Sequence, residues 1–232
     1  MCPLKGVLRW LLRFRIQFLT DRFVQALAFA NTVHATQTRK GTAVPYVAHA
    51  VGVASLVIEH GADEDTAIAA LLHDAPEDQG GYAMLAQIKA RFGDRVARIV
   101  EGCTDTFEDP KPDWCKRKER YLAHLADSKN GADFATCTVS VADKLHNARA
   151  ILHDLRRGVA VFNLFNAPEE QQGWYYGSVA RVLCDRFAGE QPEALARALQ
   201  HAVDEIGQHT GCEAFAKGVK RGRRGEPCQI AR

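Results

Sequence analysis

The sequence contains no run of about 18 consecutive apolar residues, so no segment is predicted to span a membrane. Its seven cysteines are odd in number, scattered and never spaced as CxxC. That pattern argues against a disulfide framework and a structural zinc knot, and it suits a reducing cytosol. Strand-like alternation of apolar and polar residues is rare, and no internal repeat occurs. These absences favour a cytoplasmic, all-helical protein.

Charge is unevenly distributed along the chain. The net charge is +2, yet residues 1–17 and 217–232 together hold 10 of the 30 basic residues and 1 of the 28 acidic residues. The body between these ends therefore has a net charge of −7. A nucleic-acid-binding domain shows a basic stripe on the fold itself, so we expect no nucleic-acid partner.

The two ends lie outside the predicted domain. Residues 1–17 form a basic N-terminal extension whose apolar run is interrupted by three arginines, which argues against a signal peptide. This extension is either dispensable or a helix that lies on a membrane surface. We predict one domain over residues 18–212 and a basic, disordered tail over residues 213–232.

Apolar residues recur at helical spacing through most of the domain, and glycine or proline separates the segments. Residues 136–142 are rich in β-branched side chains, but small apolar residues continue through them toward Leu145, and we predict helix there too. The predicted fold class is all-α, a single bundle of about 9–10 helices. The helices are predicted over residues 20–38, 46–60, 64–75, 82–91, 93–103, 114–127, 134–156, 171–188 and 191–209.

An apolar helix over residues 67–74 ends with an imidazole and a carboxylate side by side, those of His73 and Asp74. Burying both groups costs free energy unless each has a strong partner. A divalent cation satisfies both, because it binds a neutral imidazole nitrogen and a carboxylate oxygen. Alone, such a dipeptide is more often a chance neighbour pair than a metal site.

Two further segments change that interpretation. His49 follows Pro45 and lies one turn into a second apolar helix, and Asp143 lies within a third. Each residue alone is more often a hydrogen-bonded core group or a helix cap. Three apolar helices that carry His, His-Asp and Asp in this order indicate one shared metal site.

Several segments match the motifs of a known family. Residues 73–78 have the pattern HDxxED, and residues 142–149 have the pattern ADKLxNxR. The other matches are Arg39-Lys40-Gly41 with Pro45-Tyr46, Phe92-Gly93 with Thr104-Asp105, and Arg117-Lys118 with Tyr121-Leu122. Over about residues 20–190 the chain resembles the HD superfamily, specifically the hydrolase domain of the RelA/SpoT homologues and the small alarmone hydrolases. Pro76 departs from the family pattern, and we expect it to shorten its helix turn and re-aim Glu77.

The resemblance implies the composition of the site. One divalent ion, Mn²⁺ in preference to Mg²⁺, Fe²⁺ or Zn²⁺, is expected to be bound by His49, His73, Asp74 and Asp143. The residues that the resemblance assigns to catalysis are Glu77, Asp78 and Asn147. Those that it assigns to substrate binding are Arg39, Lys40, Lys118, Lys144, Arg149 and Tyr175.

The activity that this resemblance implies is metal-dependent hydrolysis of the 3′-pyrophosphate of guanosine, or adenosine, tetra- and pentaphosphate alarmones, with release of pyrophosphate. One alternative is a nucleotide phosphatase of the same fold, for example one that removes the 2′-phosphate of NADPH. Another is a non-catalytic HD module that binds a nucleotide. No synthetase domain is expected, because few residues follow the resemblance. The purine base, the native metal and the presence of a homo-oligomer are left open.

Overall fold

The computed structural model of the protein describes residues 19–108 and 110–217. These ranges are helical without a β-strand, which confirms the predicted all-α class. None of the helices described has the length and hydropathy needed to cross a bilayer. The predicted extension, residues 1–17, and residues 218–232 of the predicted tail lie outside the described residues.

The elements are α1 (Asp21–Val33), α2 (Val47–Glu59), α3 (Glu64–Leu72), α4 (Ala75–Asp78), α5 (Gly81–Phe92), α6 (Asp94–Cys103), α7 (Trp114–Ala126), α8 (Phe134–Arg156), a 3₁₀ helix (Val161–Leu164), α9 (Glu169–Arg186), α10 (Glu193–Thr210) and α11 (Ala214–Lys217).

The longest helix, α8, is central and packs against α2, α3, α6, α9 and α10. Asp133 begins it, because its carboxylate accepts the backbone N–H of Thr136 at 2.7 Å. Every side chain from Thr136 to Asp143 is buried. Tertiary packing on all sides of this stretch outweighs the low helix propensity of its β-branched residues, so the predicted helix is confirmed.

Two predicted helices end earlier than expected. α1 ends at Val33 and not at residue 38, because the chain then folds into a loop that is closed by an isolated bridge between Thr38 and Pro45. α3 ends at Leu72 and not at residue 75. Pro76 has no N–H to continue the helix ladder, and it lies instead in the first turn of the separate helix α4.

The domain continues past residue 212, the end that composition predicts. Phe215 of α11 is fully buried in the core. Two glycines of α9 and one of α10 leave the space for it: a Cβ at Gly173, Gly177 or Gly207 would lie 2.8, 2.5 or 2.9 Å from an atom of Phe215. The predicted boundary at residue 212 is therefore too early. Composition missed it because a single buried phenylalanine hardly changes the polar composition of residues 213–232.

Candidate metal centre and active site

Three helices bring the predicted ligands together. His49 lies in the first turn of α2, and His73 and Asp74 directly follow α3. Asp143 lies midway along α8, which packs against both helices. His49, His73 and Asp143 are only 1%, 3% and 6% exposed, so these polar groups lie inside an otherwise apolar core.

One atom of this cluster has no hydrogen-bond partner among the described residues. Nε2 of His73 is buried and unpaired, whereas Nδ1 of the same ring lies 2.8 Å from the carbonyl oxygen of Ala70. A carbonyl oxygen only accepts, so Nδ1 donates to Ala70 and Nε2 is the nitrogen that faces the two carboxylates. This ring orientation leaves Nε2 as the atom that could bind a metal.

The ligand atoms surround a common point. His73 Nε2 lies 2.9 Å from Asp74 Oδ2, and His49 Nε2 lies 3.1 Å from Asp143 Oδ1. The cross distances are 3.6 Å from His49 to Asp74 and 3.7 Å from His73 to Asp143. Atoms that bind one cation at about 2.1 Å lie roughly 3–3.5 Å apart, so the four residues fit a divalent metal.

The cluster attracts positive charge. Burial opposes protonation of His73, but the carboxylates of Asp74 and Asp143 outweigh it and raise the pKa of His73 well above its usual value. Burial also opposes ionisation of both acids. Nevertheless, His73 and His49 hold the pKa of Asp74 well below its usual range, and Lys144 with the two histidines does the same for Asp143. A divalent cation satisfies these two ionised acids.

His49 is backed by a residue to which the sequence analysis gave no role. Its Nδ1 lies 2.9 Å from Nδ1 of His146. Burial and the neighbouring His49 lower the pKa of His146 to about 4, so this ring is neutral at physiological pH and its Nδ1 can accept a hydrogen bond from Nδ1–H of His49. Gly52 leaves room for the ring, since a Cβ there would lie 2.3 Å from it. The sequence could have indicated this role through spacing, because His146 lies one helical turn after Asp143 and therefore on the same face of α8.

The two acidic ligands also have partners of their own. The hydroxyl group of Tyr46 donates to Oδ2 of Asp74. Lys144 Nζ lies 2.6 Å from Asp143 Oδ2, and Asn147 Nδ2 donates to Asp143 Oδ1 at 2.5 Å. Lys144, which the resemblance assigns to the substrate, therefore contacts the ligand beside it, and Asn147 contacts that ligand too.

The two predicted catalytic acids, Glu77 and Asp78, lie in different surroundings. Asp78 is exposed and lines a cavity of about 640 Å³, which His49 also lines. Glu77 lies outside the wall of this cavity, and its Oε1 lies 2.8 Å from Nζ of Lys111. Desolvation and the charge of Asp105 raise the pKa of Glu77, while desolvation and the charge of Asp74 raise the pKa of Asp78.

The wall of the cavity combines polar and apolar side chains. Its polar residues include Arg39, His146 and Asn147. Its apolar and aromatic residues include Ile151, Val161, Leu164, Phe165 and Tyr176. Such a cavity can hold a ligand with one charged end and one flat, apolar end.

The predicted substrate-binding cations are not all at this cavity. Arg39 and Lys40 line it, and Arg39 donates to Oδ1 of Asn147 at 2.7 Å. Lys118 lies elsewhere and pairs at 2.6 Å with the buried carboxylate of Asp105. Arg149 is exposed and does not line the cavity.

Tyr175, the predicted aromatic contact, is buried behind the site. Its ring packs against Trp114 and Tyr176, and Nζ of Lys118 lies 4.8 Å from the ring centre. Tyr176, the next residue, is the tyrosine that lines the cavity. Sequence spacing alone did not distinguish the two neighbours, because both are buried on α9.

Fold and site together define an all-helical domain in which two histidines and two aspartates from three helices form a centre that could bind a divalent metal. Residues 26–162 match the sequence profile of the family described as HD domain. The chain belongs to this family, as the resemblance of its motifs predicts.

Curated relatives confirm the similarity to RelA/SpoT-type hydrolases. "Guanosine-3′,5′-bis(diphosphate) 3′-pyrophosphohydrolase MESH1" of Xenopus tropicalis is 36% identical over 137 residues, which cover 58% of this chain and 69% of that protein. "Guanosine-3′,5′-bis(diphosphate) 3′-pyrophosphohydrolase" of Aquifex aeolicus is 48% identical over 84 residues, which cover 36% of this chain and 12% of that protein. "Probable guanosine-3′,5′-bis(diphosphate) 3′-pyrophosphohydrolase" of Synechocystis is 35% identical over 131 residues, 55% of this chain and 16% of that protein. The chain thus spans a small part of the length of the two bacterial relatives.

Solved structures agree with this grouping. One is described as "A metazoan ortholog of SpoT hydrolyzes ppGpp and plays a role in starvation responses". It matches with a TM-score of 0.62 and 25% identity, over 84% of this chain and 99% of that chain. The crystal structure of lmo0812 from Listeria monocytogenes matches with a TM-score of 0.56 and 25% identity, over 69% of this chain and 97% of that chain.

Proposed function

We propose that the protein is a metal-dependent pyrophosphohydrolase that acts on guanosine 3′,5′-bis(diphosphate) or a closely related purine nucleotide and releases its 3′-pyrophosphate. One observation carries this proposal: the unpaired Nε2 of His73 and two ionised carboxylates face one point beside a cavity of about 640 Å³. A cavity of this volume is in the range of small-molecule sites. The names of the frog and bacterial relatives support the same substrate class.

The cluster ligands His49, His73, Asp74 and Asp143 would hold the ion. We propose Mn²⁺, because two nitrogen and two carboxylate ligands suit it better than Ca²⁺, and no thiolate is present to favour structural zinc. When bound, the ion supplies Lewis acidity toward a phosphate oxygen and toward water. The remaining steps fall to side chains of the chain itself.

The cavity gives the substrate an orientation. Its apolar and aromatic side chains, among them Leu164, Phe165 and Tyr176, suit the purine, and its cationic residues Arg39 and Lys40 suit the phosphates. With a phosphate oxygen at the cluster, the bond from phosphorus to the ribose 3′-oxygen would lie between the cavity and the cluster. Displacement at phosphorus runs in line, so the attacking water approaches from the side away from the ribose.

Glu77 is the acid that we assign to this water. It lies outside the cavity wall, and Lys111 holds its Oε1 at 2.8 Å, which leaves Oε2 to accept a proton from water. Desolvation and the charge of Asp105 raise the pKa of Glu77, and a carboxylate with a raised pKa is a stronger base. Glu77 is therefore proposed as the general base.

Asp78 lines the cavity in which the ribose is proposed to lie. Its raised pKa, caused by desolvation and the charge of Asp74, allows it to carry a proton and donate it to the leaving 3′-oxygen. Asn147 orients the neighbouring groups, since it donates to Asp143 and accepts from Arg39. Arg39 is thereby directed to where the phosphates would lie.

A cytoplasmic location and the minimal assembly belong to the same proposal. Four of the described cysteines, Cys103, Cys137, Cys184 and Cys212, are free thiols, whereas Cys115 is disulfide-bonded, so the location is proposed from the resemblance and not from the cysteines. The four proposed ligands and the residues that line the cavity lie within a single copy of the chain.

A product analysis tests the proposed function. The purified protein is loaded with Mn²⁺, Mg²⁺, Fe²⁺ or Zn²⁺ in turn and incubated with guanosine 3′,5′-bis(diphosphate), its adenosine counterpart and NADPH. The products are separated by ion-exchange chromatography, and full-length Asp74→Ala protein is the matched control. We expect pyrophosphate from a purine bis(diphosphate), the highest rate with Mn²⁺, and no turnover by the control.

Two results would contradict the proposal. Release of orthophosphate from NADPH, without turnover of either bis(diphosphate), would identify a nucleotide phosphatase. Saturable binding of a bis(diphosphate) without any product, under all four metals, would identify a non-catalytic nucleotide-binding module.

A further inference from the structure

A chain of hydrogen bonds connects a buried histidine to the acid that faces the cavity. His34 follows α1, where it is 3% exposed, and its Nδ1 lies 2.7 Å from Oε1 of Gln37. The amide nitrogen of Gln37 donates to Oδ2 of Asp78 at 2.8 Å. Neither His34 nor Gln37 belongs to the predicted metal cluster, although Gln37 lines the cavity.

Asp78 determines the direction of both bonds. An unprotonated carboxylate oxygen only accepts, so the amide nitrogen of Gln37 faces Asp78 and its Oε1 faces His34. Because Oε1 also only accepts, Nδ1 of His34 must carry the proton of that bond. The pair therefore holds Oδ2 of Asp78 and leaves Oδ1 for the cavity.

The segment that contains Gln37 is closed on itself. The backbone N–H of Gln37 donates to the carbonyl of His34 at 3.0 Å, and that of Tyr46 donates to the carbonyl of Gln37 at 2.9 Å. The rings of His34 and Tyr46 pack with centroids 4.7 Å apart, and the Tyr46 hydroxyl donates to Asp74. One loop thus contacts both a predicted metal ligand and the cavity-facing acid.

We propose that His34 and Gln37 are positioning residues that fix the orientation of the Asp78 carboxylate. Gln37 holds one oxygen, and His34 holds Gln37 in the rotamer that does so. The buried ring of His34 is anchored by Tyr46, so the orientation is transmitted from the core to an exposed side chain. This inference rests on the proposed function, in which the second oxygen of Asp78 serves the leaving group.

Substitution of His34 or Gln37 is expected to lower kcat and to leave substrate and metal binding unchanged. Without the donor of Gln37, the Asp78 carboxylate can rotate, and its reactive oxygen is correctly placed for a smaller fraction of the time. Loss of an orienting partner beside a metal site typically costs about 10–100-fold in activity or metal affinity. Since Gln37 bonds to Asp78, His34 bonds to Gln37, and neither bonds to the cluster, we expect the loss in kcat, with metal affinity and KM within about twofold of wild type.

The experiment compares two substitutions at one position. His34→Asn keeps a side-chain N–H close to the place of Nδ1, and asparagine is tolerated at a helix C-terminus. His34→Leu keeps apolar volume but removes the donor. Gln37→Leu removes the middle of the chain. His60→Leu is the matched control, because His60 also follows a helix and bonds through Nδ1 to a backbone carbonyl, that of Leu56, at 2.8 Å.

We expect kcat to fall at least about tenfold in His34→Leu and Gln37→Leu and to recover substantially in His34→Asn. The control should keep wild-type kcat. If His34→Leu and Gln37→Leu both retain wild-type kcat, the inference is wrong. It is also wrong if His34→Asn is as slow as His34→Leu, or if the losses follow melting temperature across all four variants, since either result indicates a purely structural role.

A measurement without turnover separates this inference from the proposed function. In the full-length protein labelled with ¹⁵N, the hydrogen-bonded Nδ1–H of His34 should give a slowly exchanging imidazole proton signal. The signal should disappear in His34→Leu and be lost or strongly shifted in Gln37→Leu. If no nucleotide is hydrolysed but this signal behaves as expected, the proposed function fails and the hydrogen-bonded pair stands. If the signal is unchanged in Gln37→Leu, the pair itself is refuted.

Discussion

The cluster that could bind a metal (His49, His73, Asp74 and Asp143) and the charged groups around it are built in different ways. The cluster residues lie in or directly after α2, α3 and α8, whose mutual packing fixes their distances. The surrounding cations lie on loops and helix surfaces, and each has a different partner: Arg39 bonds to Asn147, Lys111 to Glu77 and Lys118 to Asp105. Core packing therefore determines where the predicted ligands are, whereas the nearest polar acceptor determines what each cation contacts.

Removal of one ligand should give the largest effect, because all other groups of the site depend on the cluster. We expect Asp74→Ala to lose metal binding and to reduce turnover below detection. The helical fold should persist, since Asp74 follows α3 and its side chain makes no capping bond to α4. Metal analysis, turnover and circular dichroism on one preparation check this. Retention of stoichiometric metal together with measurable turnover would show that Asp74 is not a ligand.

The acid pair should give the next largest effect. Glu77→Gln keeps the shape of the side chain but cannot accept a proton, so we expect a fall in kcat of roughly 10²–10⁴-fold with metal occupancy retained. Asp78→Asn should lose much of its kcat with the nucleotide. It should lose less with a substrate whose leaving group needs no proton, for example an aryl ester of pyrophosphate. Comparing the kcat of both variants with the nucleotide and with the aryl ester therefore shows which residue is the base and which is the acid.

Two outcomes would change this division of roles. If Asp78→Asn is inactive with both substrates while Glu77→Gln keeps near wild-type rate, Asp78 is the base and the in-line orientation is reversed. If both variants keep full rate, the acid pair is structural and water at the metal needs no protein base.

The contrast between cluster and surroundings also explains what the sequence could predict. His49, His73 and Asp143 are polar residues within or at the end of apolar helices, so helical periodicity predicts that they are buried, and burial requires a partner. The all-α class follows from the same periodicity. These predictions depend on local pattern alone, which a single sequence contains.

The partners of the charged groups do not follow from local pattern. Glu77 and Lys111 are 34 residues apart, and Gln37 and Asp78 are 41 residues apart. Each pair depends on the path of a loop that has no apolar periodicity. Phe215 illustrates the same limit, because its burial depends on glycines of two other helices that leave space for it.

Substitution of Lys118 and of Arg39 tests whether the partner of each surrounding cation determines its role. Lys118→Met leaves the buried Asp105 with one cation fewer, so we expect a loss of about 1–3 kcal/mol in the free energy of unfolding with little change in KM. Arg39→Met should do the reverse, with a rise in KM of roughly tenfold and little change in stability. Denaturant unfolding and steady-state kinetics check both. A rise in KM for Lys118→Met at unchanged stability would place Lys118 in the substrate site.

Arg149 should show the smallest effect, although it belongs to the ADKLxNxR motif. Its side chain is exposed and does not line the cavity, whereas Asn147 and Ala150 of the same helix do. An exposed arginine outside the cavity contributes little to ligand binding, so we expect Arg149→Ala to change kcat/KM by less than about twofold. The measurement is kcat/KM at low and at physiological ionic strength, with Arg39→Met as the positive control. A fall of tenfold or more at both salt concentrations would mean that the bound phosphates extend beyond the cavity, and position in the motif would then predict function better than exposure does.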